Sequence, residues 1–369
     1  MYKNKKIMTA VLSLLAVMTI SGCGSSNSSS DSKKDNAKSA SVKKAAPSKG
    51  DAVSIKSGEY ISPAYEKKLS DDKKYVALKL HIKNNGVKQD LMTSSFNLKD
   101  GTGNKTKAKS VLAGSDEFET LDSEKLSKGD SVNGYVVFPV ETNKKYTLEV
   151  APTPEKYDKK IPTSKVEFNT KGYKDQAKQA QTALTSYVDS IFLNKKEGNL
   201  NYDKLIANKM EDEKVEFRKQ ARSVLESAIF TDTLQDEASL KIIEQIQAFN
   251  AKKSSVKYEV ESVTPTSAEI KVTPTVVKLN DLSSEITRTH NELEDAGEID
   301  PDTSYGDAER SVKEAVIEKL PEILEEMPVR EAQGQNIKMT KDGKKWKVDV
   351  EASDSAYSSL AKAFGGYVY

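Results

Sequence analysis

Lys74-Tyr75-Val76-Ala77-Leu78-Lys79-Leu80-His81-Ile82-Lys83 is the stretch on which the fold of this chain turns. Val76, Leu78, Leu80 and Ile82 recur at every second position, and Ala77, Lys79, His81 and Lys83 fill the places between. Successive side chains of a strand point to opposite faces, so this period of two predicts a half-buried antiparallel strand, ended by a turn at Asn84-Asn85-Gly86. The same alternation returns at Phe96 and Leu98, at Val136, Phe138 and Val140, at Tyr146, Leu148 and Val150, and at Val166 and Phe168. Short strands separated by Gly, Asn, Asp and Lys turns predict an all-β sandwich over residues 51–170.

From Tyr173 the period changes to 3.6. Ala177, Ala180, Leu184, Tyr187, Val188, Ile191 and Phe192 share one helical face. Two more faces follow, Val215, Ala221, Val224, Leu225, Ala228 and Ile229, then Leu240, Ile243, Ile246 and Phe249. Strand patterns come next at Val256, Tyr258 and Val260 and at Ala268, Ile270 and Val272, with Pro274 suggesting a bulge or an edge. A helical insertion near 281–330 is expected to be broken by an acidic loop and by Pro321. The chain then returns to strand at 336–340, turns at Lys341-Asp342-Gly343, pairs through 345–350 and ends in a short helix at 357–364. Helices first and antiparallel strands after them predict an α+β domain over 171–369, with helices on one face of a sheet. Each half has its own apolar set, so the two are expected to unfold as separate units.

The run Lys74 to Leu78, the Asn84-Asn85 turn, Phe96-Asn97-Leu98-Lys99-Asp100-Gly101 and Gly134-Tyr135-Val136-Val137-Phe138 resemble a family of Gram-positive lipoprotein domains of unknown function. That resemblance implies a telokin-like, immunoglobulin-like sandwich. The second half, through the hairpin Met339 to Val348, is similar to the cone-like, nuclear-transport-factor-like domains common at the C-termini of such lipoproteins. The helical insertion departs from that pattern.

The first residues carry an address. Lys3, Lys5 and Lys6 precede an apolar run from Ile7 to Ile20, too short for a bilayer that needs about 20 residues and of the length of a signal-peptide core. It ends in Ile20-Ser21-Gly22-Cys23, and Cys23 is the sole cysteine. Small residues before a lone cysteine resemble the lipobox of bacterial lipoprotein precursors. The resemblance implies a signal peptide over 1–22, a diacylglyceryl group on the Cys23 thiol, and a membrane partner reached through that anchor on the extracytoplasmic face. Two acyl chains hold a protein stably on a membrane. Residues 23–50 then form a lipidated cysteine and a disordered tether. Nine serines and six lysines with no aromatic residue cannot bury enough surface to offset ordering.

Composition narrows the function. Hydrophobic residues are 36% and charged residues 31%, which excludes a channel or transporter, and the folded part lacks the basic excess of a nucleic-acid protein. With Cys23 modified, no thiol is left for a disulfide or a zinc site. His81 and His290 fall in different halves, and no nucleophile elbow or glycine-rich phosphate loop is present. No catalytic, cofactor-binding or metal-ligating residue is assigned, and no cofactor is expected. Asp300, Asp302 and Ser304 match the first ligands of a calcium loop, but glycine stands at the seventh place and Ser311 at the twelfth. The segment Glu292 to Glu309 is expected to be a solvated loop capping a helix. Trp346 and Tyr258 are expected to fill the core of the sheet rather than line a pocket. The chain is expected to be a non-enzymatic surface lipoprotein binding a surface protein or envelope component. The alternative is an extracytoplasmic hydrolase or isomerase using a carboxylate of the second half.

Overall fold

A computed structural model of the chain describes residues 50–111, 118–156, 158–226, 230, 234–300, 302–350 and 356–368. The signal peptide, Cys23 and the tether up to residue 49 lie outside the described residues, as do Ala228 and Ile229.

The first half is built from β1 (Ala52–Ile61), β2 (Lys73–Lys83), β3 (Gln89–Met92), β4 (Phe96–Asp100), β5 (Lys105–Lys107), β6 (Ser123–Leu126), β7 (Ser131–Glu141), β8 (Lys145–Val150), β9 (Thr153–Pro154), β10 (Ser164–Asn169) and β11 (Lys174–Asp175). One sheet runs β11-β1-β2-β7, a second runs β10-β8-β4-β5, and a small third runs β6-β3-β9. β2 lies between β1 and β7, and Val76, Leu78, Leu80 and Ile82 are all fully buried. They meet Phe96, Leu98, Leu148, Val150, Val166 and Phe168 of the second sheet in one core. This is the sandwich that the alternation predicts.

The other face of β2 is not wholly polar. Ala77 is buried beside Tyr75, Val137, Tyr135 and Phe118 in a separate cluster. The cause is a covering segment: Lys109 N–H donates to Val137 O at 2.8 Å and Thr120 pairs with Tyr135. Gly134 makes that approach possible, because a Cβ there would lie 2.6 Å from the Leu121 side chain.

The second half begins with α1 (Gln176–Ile191), α2 (Lys196–Leu205), α3 (Met210–Val224) and α4 (Asp236–Lys253). Then come β12 (Ser255–Val263), β13 (Ser267–Val277), α5 (Leu282–Asp295), α6 (Tyr305–Glu326), β14 (Val329–Glu331), β15 (Gln335–Asp342), β16 (Lys345–Val348) and α7 (Ala356–Phe364). The sheet order is β12-β13-β15-β16, with β14 also on β13. Helices and sheet share one apolar core, distinct from the cores of the sandwich. The architecture is thus an N-terminal β-sandwich followed by an α+β region.

Four local expectations are corrected. α2 has no counterpart in the apolar periodicity. Gly198, Asn199 and Asn201 are weak helix formers, and Tyr202, fully buried against Tyr187, docks the segment through tertiary contact. Val215 is exposed, because α3 buries Glu213, Phe217, Ala221 and Val224 instead. α6 runs through Pro321 without a break. A mid-helix proline costs about 3 kcal/mol, while burying Val316, Leu320, Ile323 and Leu324 returns about 1.5–3 kcal/mol each, so packing wins. Pro274 sits inside the sheet rather than on an edge. Its carbonyl accepts from Ala332 N–H, and the N–H it lacks would face the gap where β13 changes neighbour from β15 to β14. The hairpin turn lies where the glycine predicts, with Gly343 at φ +60° between Asp342 and Lys345.

Candidate functional site

Two places gather chemistry, one closed inside the second half and one open along its β12 edge. The closed one centres on Glu213 in the first turn of α3, where a carboxylate suits the helix dipole. Glu213 is 7% exposed. Its Oε2 accepts the Tyr187 hydroxyl proton from α1, and its Oε1 accepts from Asn208 Nδ2 at 3.0 Å. The Tyr357 hydroxyl of α7 stands 3.0 Å from that of Tyr187. Tyr187 therefore bridges the two, donating to the carboxylate and lying within hydrogen-bond distance of the Tyr357 hydroxyl.

Burial, then the charges of Tyr357 and Glu213, pushes the Tyr187 phenol well above its usual range. Burial raises the phenols of Tyr357 and Tyr202 as well. All three stay neutral, and Tyr187 donates to the carboxylate. Asn208 also holds Val348 by both backbone groups, and Ala207 N–H donates to Trp346 O at 2.9 Å, so residues 206–208 close the outer edge of β16. Trp346 is buried in the core under the Lys341 ammonium, 4.0 Å from its ring centre. Tyr258 is half-buried beside that core and, against expectation, also lines an open groove. Sequence reasoning missed the assembly. The available signal was a glutamate four residues before Phe217 on the apolar face of α3.

The open place is a groove of about 740 Å³ between the β1–β2 loop and the edge of β12. Ser62 N–H donates to Val263 O at 2.9 Å and Ser62 O accepts from Val263 N–H at 2.6 Å, which ties the loop to the end of β12. Beyond that rung the groove runs along Tyr258, Glu259, Val260 and Glu261. Its other wall carries Lys67, Lys68 and Lys73 with Glu66 and Asp71, while Lys74 is bound to Asp175. Tyr65 on this loop is 93% exposed at φ +60°, a left-handed conformation uncommon for a residue with a side chain.

The remaining sequence candidates lie apart. His81 Nδ1 meets Asn133 Oδ1 at 3.0 Å on the sandwich surface, and His290 lies 3.3 Å from Glu294 on α5. Several acids of 292–309 have local partners. Ser304 caps α6 by accepting from Asp307 N–H, Asp307 pairs with Arg310, Glu309 with Lys313, and Glu292 with Lys319 and Arg288. Asp300 Oδ1 accepts from Asp302 N–H and Thr303 Oγ1. Among the described residues no group of three or more His, Cys, Asp or Glu is placed to hold a metal ion, and no helix is long and apolar enough to cross a membrane.

Comparison with known proteins agrees with this architecture. No curated protein matches the chain. A solved structure of a candidate lipoprotein (ycdA) from Bacillus subtilis is similar over 89% of this chain and 99% of its own, at 23% identity and a TM-score of 0.61. A candidate lipoprotein from Staphylococcus aureus covers 37% of this chain and 97% of its own, at 20% identity and a TM-score of 0.26. A β-sandwich protein from Clostridium difficile covers 38% and 100%, at 15% identity and a TM-score of 0.21. Residues 28–161 match the family model described as domain of unknown function DUF4352. Residues 171–365, just over half of the chain, match the model described as domain of unknown function DUF5105, and the chain belongs to that family.

Proposed function

We propose that the protein is a lipid-anchored binding protein on the outer face of the cytoplasmic membrane, and that it is not an enzyme. The lipobox-like Ile20-Ser21-Gly22-Cys23 supports the anchor. So does the description of the Bacillus subtilis neighbour as a candidate lipoprotein. One observation carries the non-enzymatic part: the carboxylate best placed for acid–base work, Glu213, spends both oxygens on Tyr187 and Asn208 and joins α1, α3 and β16. A general base needs access to a substrate proton, and this one is occupied by neutral donors inside the core. Binding then falls to the open groove.

Cys23→Ala tests the anchor. The variant is expected to lose lipid labelling and to move from the membrane fraction to the medium or the soluble fraction. Wild type that stays in the membrane fraction without lipid label overturns the anchor. The alternative hydrolase or isomerase predicts turnover of an envelope substrate by the soluble body, abolished in Glu213→Gln while the variant stays folded.

A further inference from the structure

The two outer edges of the C-terminal sheet are treated differently. At β16 the segment 206–208 supplies strand-like partners, through Ala207 to Trp346 and Asn208 to Val348. At β12, among the described residues, only Val263 is matched, by Ser62. A bulge between Val260 and Ser262 separates that rung from the rest. From Ser255 to Val260 the outer row of N–H and C=O groups has no backbone partner among the described residues. An unpaired strand edge is a template for another strand.

The groove lies along this edge. Four consecutive residues of β12 line it, and consecutive residues of a strand point to opposite faces, so the groove follows the edge and not one face. The core-side residues Val256, Tyr258 and Val260 pack on the core yet stay partly exposed. The chain itself indicates what fits, since Ser62 approaches the same edge as extended backbone and makes both hydrogen bonds of a rung.

We infer that β12 receives an extended peptide segment of another protein, added as a strand in the groove and continuing the ladder that Ser62 begins. This deepens, and rests on, the binding role proposed above. Side chains of the added strand alternate. One set covers Val256, Tyr258 and Val260 and is apolar. The other stands on the face of Lys257, Glu259 and Glu261, all exposed; Lys257 is paired with Glu331, and basic residues beside the two glutamates complement their charge at cross-strand distance. Glu259 lies 3.6 Å from Lys271, which leaves Glu261 the stronger determinant. The loop wall mixes Lys67, Lys68 and Lys73 with Glu66 and Asp71 and imposes less preference. A second copy of the chain fits poorly, because its own β12 edge lies in the same concave groove and two concave surfaces do not meet.

The test uses the soluble body, residues 24–369, and a blocked heptapeptide alternating valine with lysine. Its counterparts carry glutamate in place of lysine, or N-methyl groups on the central amides. The expected result is binding of the lysine peptide several-fold tighter than the glutamate peptide, loss of binding on N-methylation, and new hydrogen-exchange protection confined to amides of β12. Glu261→Lys, a surface change, is expected to reverse the preference between the two peptides with the fold intact. Binding without protection of β12, or binding indifferent to N-methylation, overturns strand addition. No binding by either peptide also overturns it, and leaves the anchor to the Cys23→Ala result. Self-association that protects β12 without peptide shows that the occupant is a second copy and overturns addition of a strand from another protein.

Discussion

Asn208 holds Val348 as a neighbouring strand would: its Nδ2 donates to Val348 O at 3.0 Å and its Oδ1 accepts from Val348 N–H at 2.8 Å. The other Nδ2 hydrogen goes to Glu213 Oε1 at 3.0 Å, so one side chain both closes the β16 edge and saturates a buried carboxylate. Asn208→Ala removes all three bonds and is expected to cost about 2–4 kcal/mol. Asn208→Asp is expected to cost more, since it sets a second carboxylate against the first. Denaturant unfolding followed by Trp346 fluorescence checks both. Equal stability of the two variants contradicts the assignment.

Tyr187 links Tyr357 to Glu213, and its two hydrogen bonds differ in strength. Tyr187→Phe takes a hydrogen bond from a buried carboxylate, about 1.5–3 kcal/mol, whereas Tyr357→Phe takes one from a neutral hydroxyl, about 1 kcal/mol. Tyr187→Phe is therefore the more harmful in the same unfolding assay.

Glu59 of β1 sits at the junction of the halves, accepting from Gln176 Nε2 at 2.7 Å. Burial raises its carboxyl above the ordinary 4.5, against the opposing pulls of Gln176, Lys341 and Lys174. The folded chain thus binds this proton more tightly than the unfolded one. Its contribution to stability is full below the unfolded value and is lost as pH rises through the raised value. Glu59→Gln keeps an acceptor for Gln176 and removes that loss. Its melting temperature is expected to gain on wild type between pH 4 and pH 7. A constant difference across that interval would falsify the linkage.

Gly58 is where the sandwich admits Tyr173, because a Cβ there would lie 2.3 Å from the tyrosine ring. Tyr173 stacks on Phe168 at 6.5 Å and meets Tyr60 edge-on at 6.1 Å. The sandwich cores and the α+β core share no residue, so two calorimetric transitions are expected. Gly58→Ala should weaken the sandwich transition by about 1–3 kcal/mol and leave the other in place. A shift of both by the same amount would show that the junction makes them one cooperative unit.

In the acidic segment the charges serve the start of α6. Ser304→Ala removes its cap and should cost about 1 kcal/mol. Calcium at constant ionic strength should raise the melting temperature no more than matched sodium chloride, since screening is the only effect left. A calcium-specific rise lost in the double variant Asp300→Ala, Asp302→Ala would overturn this.

The sequence by itself determined the elements whose periodicity reports a buried side. The inner face of β2 at Val76, Leu78, Leu80 and Ile82, the α1 face through Tyr187, the hairpin at Gly343 and the division into sandwich and α+β halves were all legible, because a repeat of 2 or 3.6 residues is local. Only the tertiary structure decided what those faces meet. Ala77 is buried because the segment around Lys109 and Thr120 folds over it, and α6 passes Pro321 because aliphatic packing outweighs one missing bond. Glu213 is a structural tie because Tyr187 of α1 and Asn208 both bond it, and Tyr187 in turn meets Tyr357, 170 residues away. The same holds for the sheet edges. A strand pattern shows that backbone groups are offered on both sides, but which side is taken, at β16 by residues 206–208, and which stays open, at β12, depends on long-range neighbours that no local period encodes.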